Sequence, residues 1–189
     1  MEQQAVLIDN RTGEIVTADD AWDDLETTRQ FLIRVFGFEL YADPYFVERL
    51  VCKLGGLEQT DRGCPYDGMT CTGIKVEIKH SNAYRTADVE FSDFTWHHLQ
   101  GTNGAGKGAD VFVLVGYDDL CPSGGLRFWV VPALVLEGID RLRLSLSPRR
   151  CAGRVDLSRF ACNIADIKDA IVAMAQVGSA MKERLDAYR

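Results

Sequence analysis

Two apolar, β-branched runs constrain this chain most: ADVFVLVGY at residues 109–117 and LRFWVVPA at residues 126–133. A strand that faces water alternates polar and apolar residues, whereas runs as apolar as these read as central strands of a sheet. Residues 118–125 join them with Pro122, Gly124 and Gly125, so the two runs are expected to pair as hairpin neighbours. At 189 residues, 47% hydrophobic and 26% charged, the chain suffices for one globular domain with a proper core. It contains no internal repeat and no low-complexity tract. The start, MEQQAVLIDN, has no basic segment followed by an apolar run, and no stretch approaches about 18 uninterrupted apolar residues. Secretion and membrane spanning are therefore not expected.

The remaining elements follow from spacing. AVLIDNRTGEIVT (5–17) holds two short apolar runs around an Asn-Arg-Thr-Gly turn, a hairpin signal. Trp22, Leu25, Phe31, Leu32 and Val35 then recur at helical spacing. Asp43-Pro44 starts a second helix carrying Phe46, Val47, Leu50, Val51 and Leu54, and Gly55-Gly56 stops it. GCPYDGMTC (63–71) reads as a strand and Thr72-Gly73 as a turn. In GIKVEIKHS (73–81), Ile74, Val76 and Ile78 point one way and Lys75, Glu77 and Lys79 the other. Residues 86–100, around Phe91, Phe94 and Trp96, fit a helix or a loop. Ile164, Ile167, Ile171, Met174, Met181 and Leu185 follow a three-four spacing, which predicts a terminal amphipathic helix of about six turns. Its stripe is expected to pack on the sheet; a dimer seam is the minority alternative. Together these elements read as an α/β domain.

Six cysteines (Cys52, Cys64, Cys71, Cys121, Cys151, Cys162) have irregular spacing and no CxxC pair, which disfavours a zinc knuckle or redox dithiol and fits reduced thiols in a cytoplasmic protein. The net charge of −7 is unevenly spread: residues 1–48 carry eleven acids and three bases, the rest 17 acids and 18 bases. Six arginines (Arg141, Arg143, Arg149, Arg150, Arg154, Arg159) fall in a stretch with two acids, Asp140 and Asp156. Such a cluster can serve a phosphate backbone or be an ordinary solvated surface. GTNGAGKG (101–108) approaches the phosphate loop GxxxxGK[ST], but Gly108 stands where the Mg2+-binding hydroxyl belongs, and the loop precedes a strand instead of following one. A flexible loop that offers Lys107 to a phosphate is the better reading.

Hydrolysis of a phosphodiester needs hard oxygen ligands for Mg2+, a positioned water and a positive charge near the phosphate. If residues 67–71 and 74–79 are adjacent strands, Asp67 at the start of one lies beside Glu77 near the end of the other. Lys79 then follows on the same face, about 6 to 7 Å along by strand rise, where its ammonium can serve the attacking water. The alternative is that Lys75, Glu77 and Lys79 form a solvated face with cross-strand ion pairs.

The order of these residues resembles the PD-(D/E)XK nuclease superfamily, the fold of many restriction endonucleases and of archaeal Holliday-junction resolvases. The resemblance spans residues 43–132: a helix with an inward acid (Glu48 in PYFVERLVCKLGG), an acid at a strand start (Asp67 in PYDG), the E-x-K of Glu77-Ile78-Lys79, and apolar strands after it. The family's Pro-Asp pair is interrupted here by Tyr66, and Asp61 is a rival for the role of Asp67. The resemblance implies an α/β restriction-endonuclease-like core, a mixed central β-sheet flanked by α-helices, in which Asp67, Glu77 and Glu48 hold the metal and Lys79 serves the nucleophilic water. Around it, Tyr66, Ser81, Asn82, Tyr84, Arg85, Gln100, His97 and His98 are accessory at most.

The expectation is one nuclease-like domain over 1–189, with an acidic extension at 1–42, the catalytic core at 43–132, and an Arg-rich segment with the terminal helix at 133–189. It is expected to cut DNA with Mg2+, with Mn2+ as a substitute, and to contact the backbone through Lys107, Arg149, Arg150 and Arg154. Cutting both strands favours a dimer. Lys79→Ala is expected to remove cleavage and leave folding nearly intact. The rival reading is a nuclease-like domain that binds nucleic acid or a protein without cutting.

Overall fold

The computed structural model describes residues 6–8, 15–17, 29–30, 32–34, 39–61, 63–83, 93–100, 108–118, 125–145 and 155–187. They belong to two compact units, Met1–Asp43 and Pro44–Arg189. In the first, β1 (Val6–Ile8) and β2 (Ile15–Thr17) pair antiparallel as expected of the two runs, with Leu7 opposite Val16, while the Asn-Arg-Thr-Gly turn lies outside the described residues. Arg29 grips both carboxylate oxygens of Glu39, at 2.8 and 2.7 Å, and its guanidinium lies 4.8 Å from the centre of the Tyr41 ring. Glu39 also accepts a bond from the Tyr41 N–H and so caps a short 3-10 turn, Leu40–Ala42.

The second unit begins with α1 (Pro44–Gly55), whose Val47, Leu50 and Val51 are buried as the spacing predicts. It ends in a Schellman arrangement: Gly56 adopts φ +62°, its N–H bonds to the Lys53 carbonyl, and the Leu57 N–H bonds to the Cys52 carbonyl. A short ribbon follows, β3 (Glu58–Gln59) and β4 (Gly68–Met69), then the long β5 (Lys75–Asn82). After β6 (Asp93–Trp96) come the two apolar runs, β7 (Val111–Tyr117) and β8 (Leu126–Pro132). They pair antiparallel with Val113 opposite Val130, as hairpin neighbours should. β9 (Leu142–Ser145), β10 (Ala161–Cys162) and α2 (Ile167–Ala187) complete the unit.

Six strands form one mixed sheet in the order β10-β8-β7-β5-β4-β3, antiparallel except for the parallel pair β5–β7. Alternation along the strands sends Val76, Ile78, Val111, Val113, Val115, Phe128 and Val130 to one face, where Val47 and Val51 of α1 and Ile167 and Ile171 of α2 cover them. Phe112, Leu114, Trp129 and Val131 point to the other face, under Phe94 and Trp96 of β6 and Leu142 of β9. The fold is therefore α/β with a mixed central sheet, one face of which is covered by helices.

Three sequence expectations change. Residues 93–96, read as helix or loop, are a strand that pairs antiparallel with β9 and lays Phe94 and Trp96 on the sheet. The Trp96 indole N–H bonds to the Val115 carbonyl at 3.0 Å. The stripe of α2 packs on the sheet only in its first turns: Ile167 and Ile171 are buried, whereas Ile164, Met181 and Leu185 are exposed. The face of Lys75, Glu77 and Lys79 is not uniformly solvated, because Glu77 is 1% exposed. The four described cysteines, Cys52, Cys64, Cys71 and Cys162, are free thiols, and no described helix is long and apolar enough to cross a membrane.

Gly116 lets the two layers meet, since a Cβ there would stand 2.8 Å from the Phe94 ring. Gly116→Ala is expected to lower stability by about 1–3 kcal/mol through overpacking, read as a drop in the urea midpoint; an unchanged midpoint would contradict the close packing of β6 on β7.

Candidate active site

The site forms where the short β4 runs out beside the long β5. Gly68 pairs with Val76 and Met69 with Lys75, so the register carried one residue further sets Asp67 opposite Glu77. With β4 ended, the Ile78 N–H has no strand carbonyl to meet, and the Asp67 carboxylate takes it at 2.7 Å. The Asp67 N–H in turn bonds to the Val76 carbonyl, and the Asp67 carbonyl receives the Thr60 N–H. Asp67 is thus fixed at the sheet edge from both its main chain and its side chain.

Glu77 and Lys79 share one face of β5, in register with Phe112 and Leu114 of β7. The Lys79 ammonium lies 2.5 Å from a Glu77 carboxylate oxygen. Glu77 is all but sealed from solvent while Lys79 is 21% exposed, so the pair has one dry and one wet end. Glu48 reaches the same edge from α1, on the opposite face of the sheet, and the Gln59 side-chain amide donates to it at 3.1 Å.

The electrostatics record this crowding. Burial and then the Glu77 carboxylate push the Asp67 carboxyl up to about 6; Glu48 adds to the rise, while the Ile78 N–H and Lys79 oppose it. Burial, with help from Glu48 and Asp67, pushes the Cys52 thiol up to about 12, so the neighbouring sulfur stays protonated. The donors are therefore carboxylate oxygens, the kind a hard cation such as Mg2+ takes, and Mg2+ commonly binds through one or two protein carboxylates and keeps several waters. Among the described residues no three His, Cys, Asp or Glu side chains are gathered into a ready metal cage. Asp67 and Glu77 are the two carboxylates that the strand register sets opposite each other.

Of the other expected residues, Lys107, Arg149, Arg150, Arg154, Tyr84 and Arg85 lie outside the described residues. Arg143 is paired with Asp93, and Arg159 lies 3.6 Å from Asp156. Gln100 is structural: its amide donates to the carbonyls of Leu136 and Ile139. Ser81 receives the Thr95 N–H and ties β5 to β6. His97 and His98 are exposed, with ring centres 6.3 Å apart. Asp61, the rival of Asp67, is exposed, and its carbonyl closes a turn with the Cys64 N–H. Sequence reasoning missed Gln59, which sits on a two-residue strand with no periodicity to mark it, and passed over Lys75, which looked like one more solvated charge.

No protein-family model matches the chain, and no curated protein matches it in sequence. Among solved structures, it is similar to a bacterial homing endonuclease, I-Ssp6803I, at 19% identity and a TM-score of 0.39, over 73% of this chain and 88% of that one. A likeness of this size says nothing of chemistry. That has to come from the placement of Asp67, Glu77 and Lys79.

Two predictions follow from the burial of these groups. Lys79→Ala removes the ammonium paired with the enclosed Glu77 carboxylate, so, contrary to the expectation of an intact fold, it should cost on the order of 3 kcal/mol of stability; a urea midpoint equal to the parent's would contradict the pairing. Between 3.8 and about 6 the folded chain keeps a proton on Asp67 that the unfolded chain releases, so this group's contribution to stability is lost as pH rises through that window. Asp67→Asn retains an oxygen for the Ile78 N–H and carries no charge. In EDTA its stability relative to the parent should climb from about pH 4 to about pH 6 and level off above; a constant difference across that range would contradict the raised Asp67.

Proposed function

We propose that this chain is a Mg2+-dependent DNA endonuclease of the PD-(D/E)XK type, with Asp67, Glu77 and Lys79 as its reacting groups and Glu48 as an auxiliary acid. The observation that carries the reading is the buried Glu77, ion-paired to Lys79 and set opposite an Asp67 whose proton affinity is raised by burial first and by the facing carboxylate second. Two carboxylates facing each other in a partly enclosed site raise each other's cost of ionisation, and a divalent cation between them removes that cost. Such an ion, Mg2+ or its substitute Mn2+, would lower the pKa of water and offset charge on the attacked phosphate.

The chain's own groups do the positioning. Asp67 is locked by the Ile78 N–H, so its second oxygen has a fixed direction. Glu77 holds the Lys79 ammonium at the border between interior and solvent, where a water could accept a hydrogen bond from it. In the proposed reaction water attacks phosphorus in line and gives up a proton to solvent; the new P–O bond forms as the opposite P–O bond breaks, and the leaving oxygen takes a proton from solvent. Lys79 orients the water and faces the negative charge that gathers on the phosphate. Glu48, held by Gln59, adds an acid at the edge.

Supercoiled plasmid incubated with Mg2+ or Mn2+ tests this. The parent should nick it and EDTA should abolish nicking. Because Lys79→Ala alone is expected to perturb the fold, the informative variant is the charge-neutral pair Glu77→Gln with Lys79→Met, which should cut about 10²–10⁴-fold more slowly. A parent that binds DNA and never nicks it leaves the non-cutting domain as the correct reading; a double variant as active as the parent puts the chemistry elsewhere.

A further inference from the structure

We propose that Lys75, held over the ring of Tyr66, is a binding contact for a backbone phosphate flanking the one attacked. The inference deepens the nuclease reading and rests on it for the direction of the strand. Lys75 lies on the same face of β5 as Glu77 and Lys79, two residues before Glu77 and so about 6–7 Å along the strand. That offset brings the next phosphate of a bound strand within reach of a four-carbon lysine stem.

Three features set Lys75 apart from an ordinary surface lysine. Its main chain is clamped, because its N–H bonds to the Asp110 carboxylate at 2.9 Å and its carbonyl receives the Asp110 N–H at 2.8 Å. Its ammonium lies 5.6 Å from the centre of the Tyr66 ring, in the residue immediately before Asp67. Among the described residues no carboxylate stands within ion-pair distance of it. A carboxylate partner would hold the ammonium and cancel its charge, whereas an aromatic face holds it and leaves the charge available. The acid centre needs such a charge. Glu48, Asp67 and Glu77 gather at this edge, where Glu77 already engages Lys79, and a polyanion approaching three carboxylates is repelled unless another positive group receives it. Tyr66, which separates Pro65 from Asp67, thereby has a physical use: it parks the lysine beside the site.

The test is the binding of a fluorescently labelled DNA duplex in EDTA, where nothing is cut, followed by anisotropy from about 50 to 200 mM salt. Lys75→Ala should bind several-fold more weakly, with a log–log salt slope shallower by about 0.9. Lys75→Arg, which keeps the charge and can lie on the same ring, should restore both. Tyr66→Leu should weaken binding with the slope retained, since the charge remains but is no longer held. Lys182→Ala, an exposed lysine on α2, should behave as the parent. A Lys75→Ala slope and affinity equal to the parent's would overturn the inference, as would an equal loss in Lys182→Ala. The two readings separate cleanly: a parent that binds through Lys75 and never nicks in Mg2+ keeps this contact and loses the nuclease, whereas a parent that nicks with Lys75→Ala binding normally does the reverse. A parent that does not bind the duplex at all overturns both.

Discussion

A carboxylate enclosed between two covered layers of a protein needs a cation, and in this chain Glu77 finds it two residues away on its own strand. The side chains of Glu77 and Lys79 leave β5 in the same direction because strands alternate with a period of two, and they meet because one end of the pair is dry. Enclosure strengthens the attraction between them and makes loss of either partner costly. It also fixes the lysine. An exposed pair of the same residues would sample many arrangements and hold no defined direction toward a bound strand.

The enclosure is a product of the fold around it. β7 and β8, apolar on both faces, demand a layer on each side, and the helices supply only one of them. The other comes from β6 and β9: Phe94 and Trp96 of β6 meet Trp129 edge-on, with ring centres 5.8 and 5.5 Å apart. Gly116 admits the Phe94 ring, and the Ser81 hydroxyl joins β5 to β6. On the far side of β5 the sheet does the opposite and stops short: β4 is two residues long, so the Ile78 N–H is left for Asp67 to satisfy. A longer β4 would give that N–H a carbonyl and turn Asp67 away. The candidate site is thus made by one strand that is well covered and one that ends early.

Much of this was legible in the residues. The two central strands, the helix at Pro44–Gly55 with its glycine stop, and the alternation of β5 all follow from periodicities that the structure reproduces. The pairing of Asp67 with Glu77 could be posed from the turn at Thr72-Gly73, whose Gly73 N–H indeed closes on the Thr70 carbonyl. What periodicity could not supply was the partner of each element. β6 has four residues and pairs with β9, far along the chain, so no local pattern distinguishes it from a loop. For the same reason the sequence shows that Glu77 and Lys79 share a face but not that Glu77's end of it is covered. Gln59 sits on a two-residue strand, below the length at which alternation carries information. In α2 the three-four spacing is the same in the turns that reach the core and in those that leave it, because spacing defines a face and not what lies opposite.

The central proposal is that Asp67 and Glu77 would together hold one divalent cation with Lys79 beside it. Crystals soaked in Mn2+ and measured at the manganese absorption edge test it most directly. The account predicts one anomalous peak per chain at coordinating distance, about 2.0–2.2 Å, from a carboxylate oxygen of each residue, with the Lys79 ammonium next to a water in the same shell. No peak at this edge, or a peak bound by other residues while Glu77 stays closed on Lys79, would contradict it.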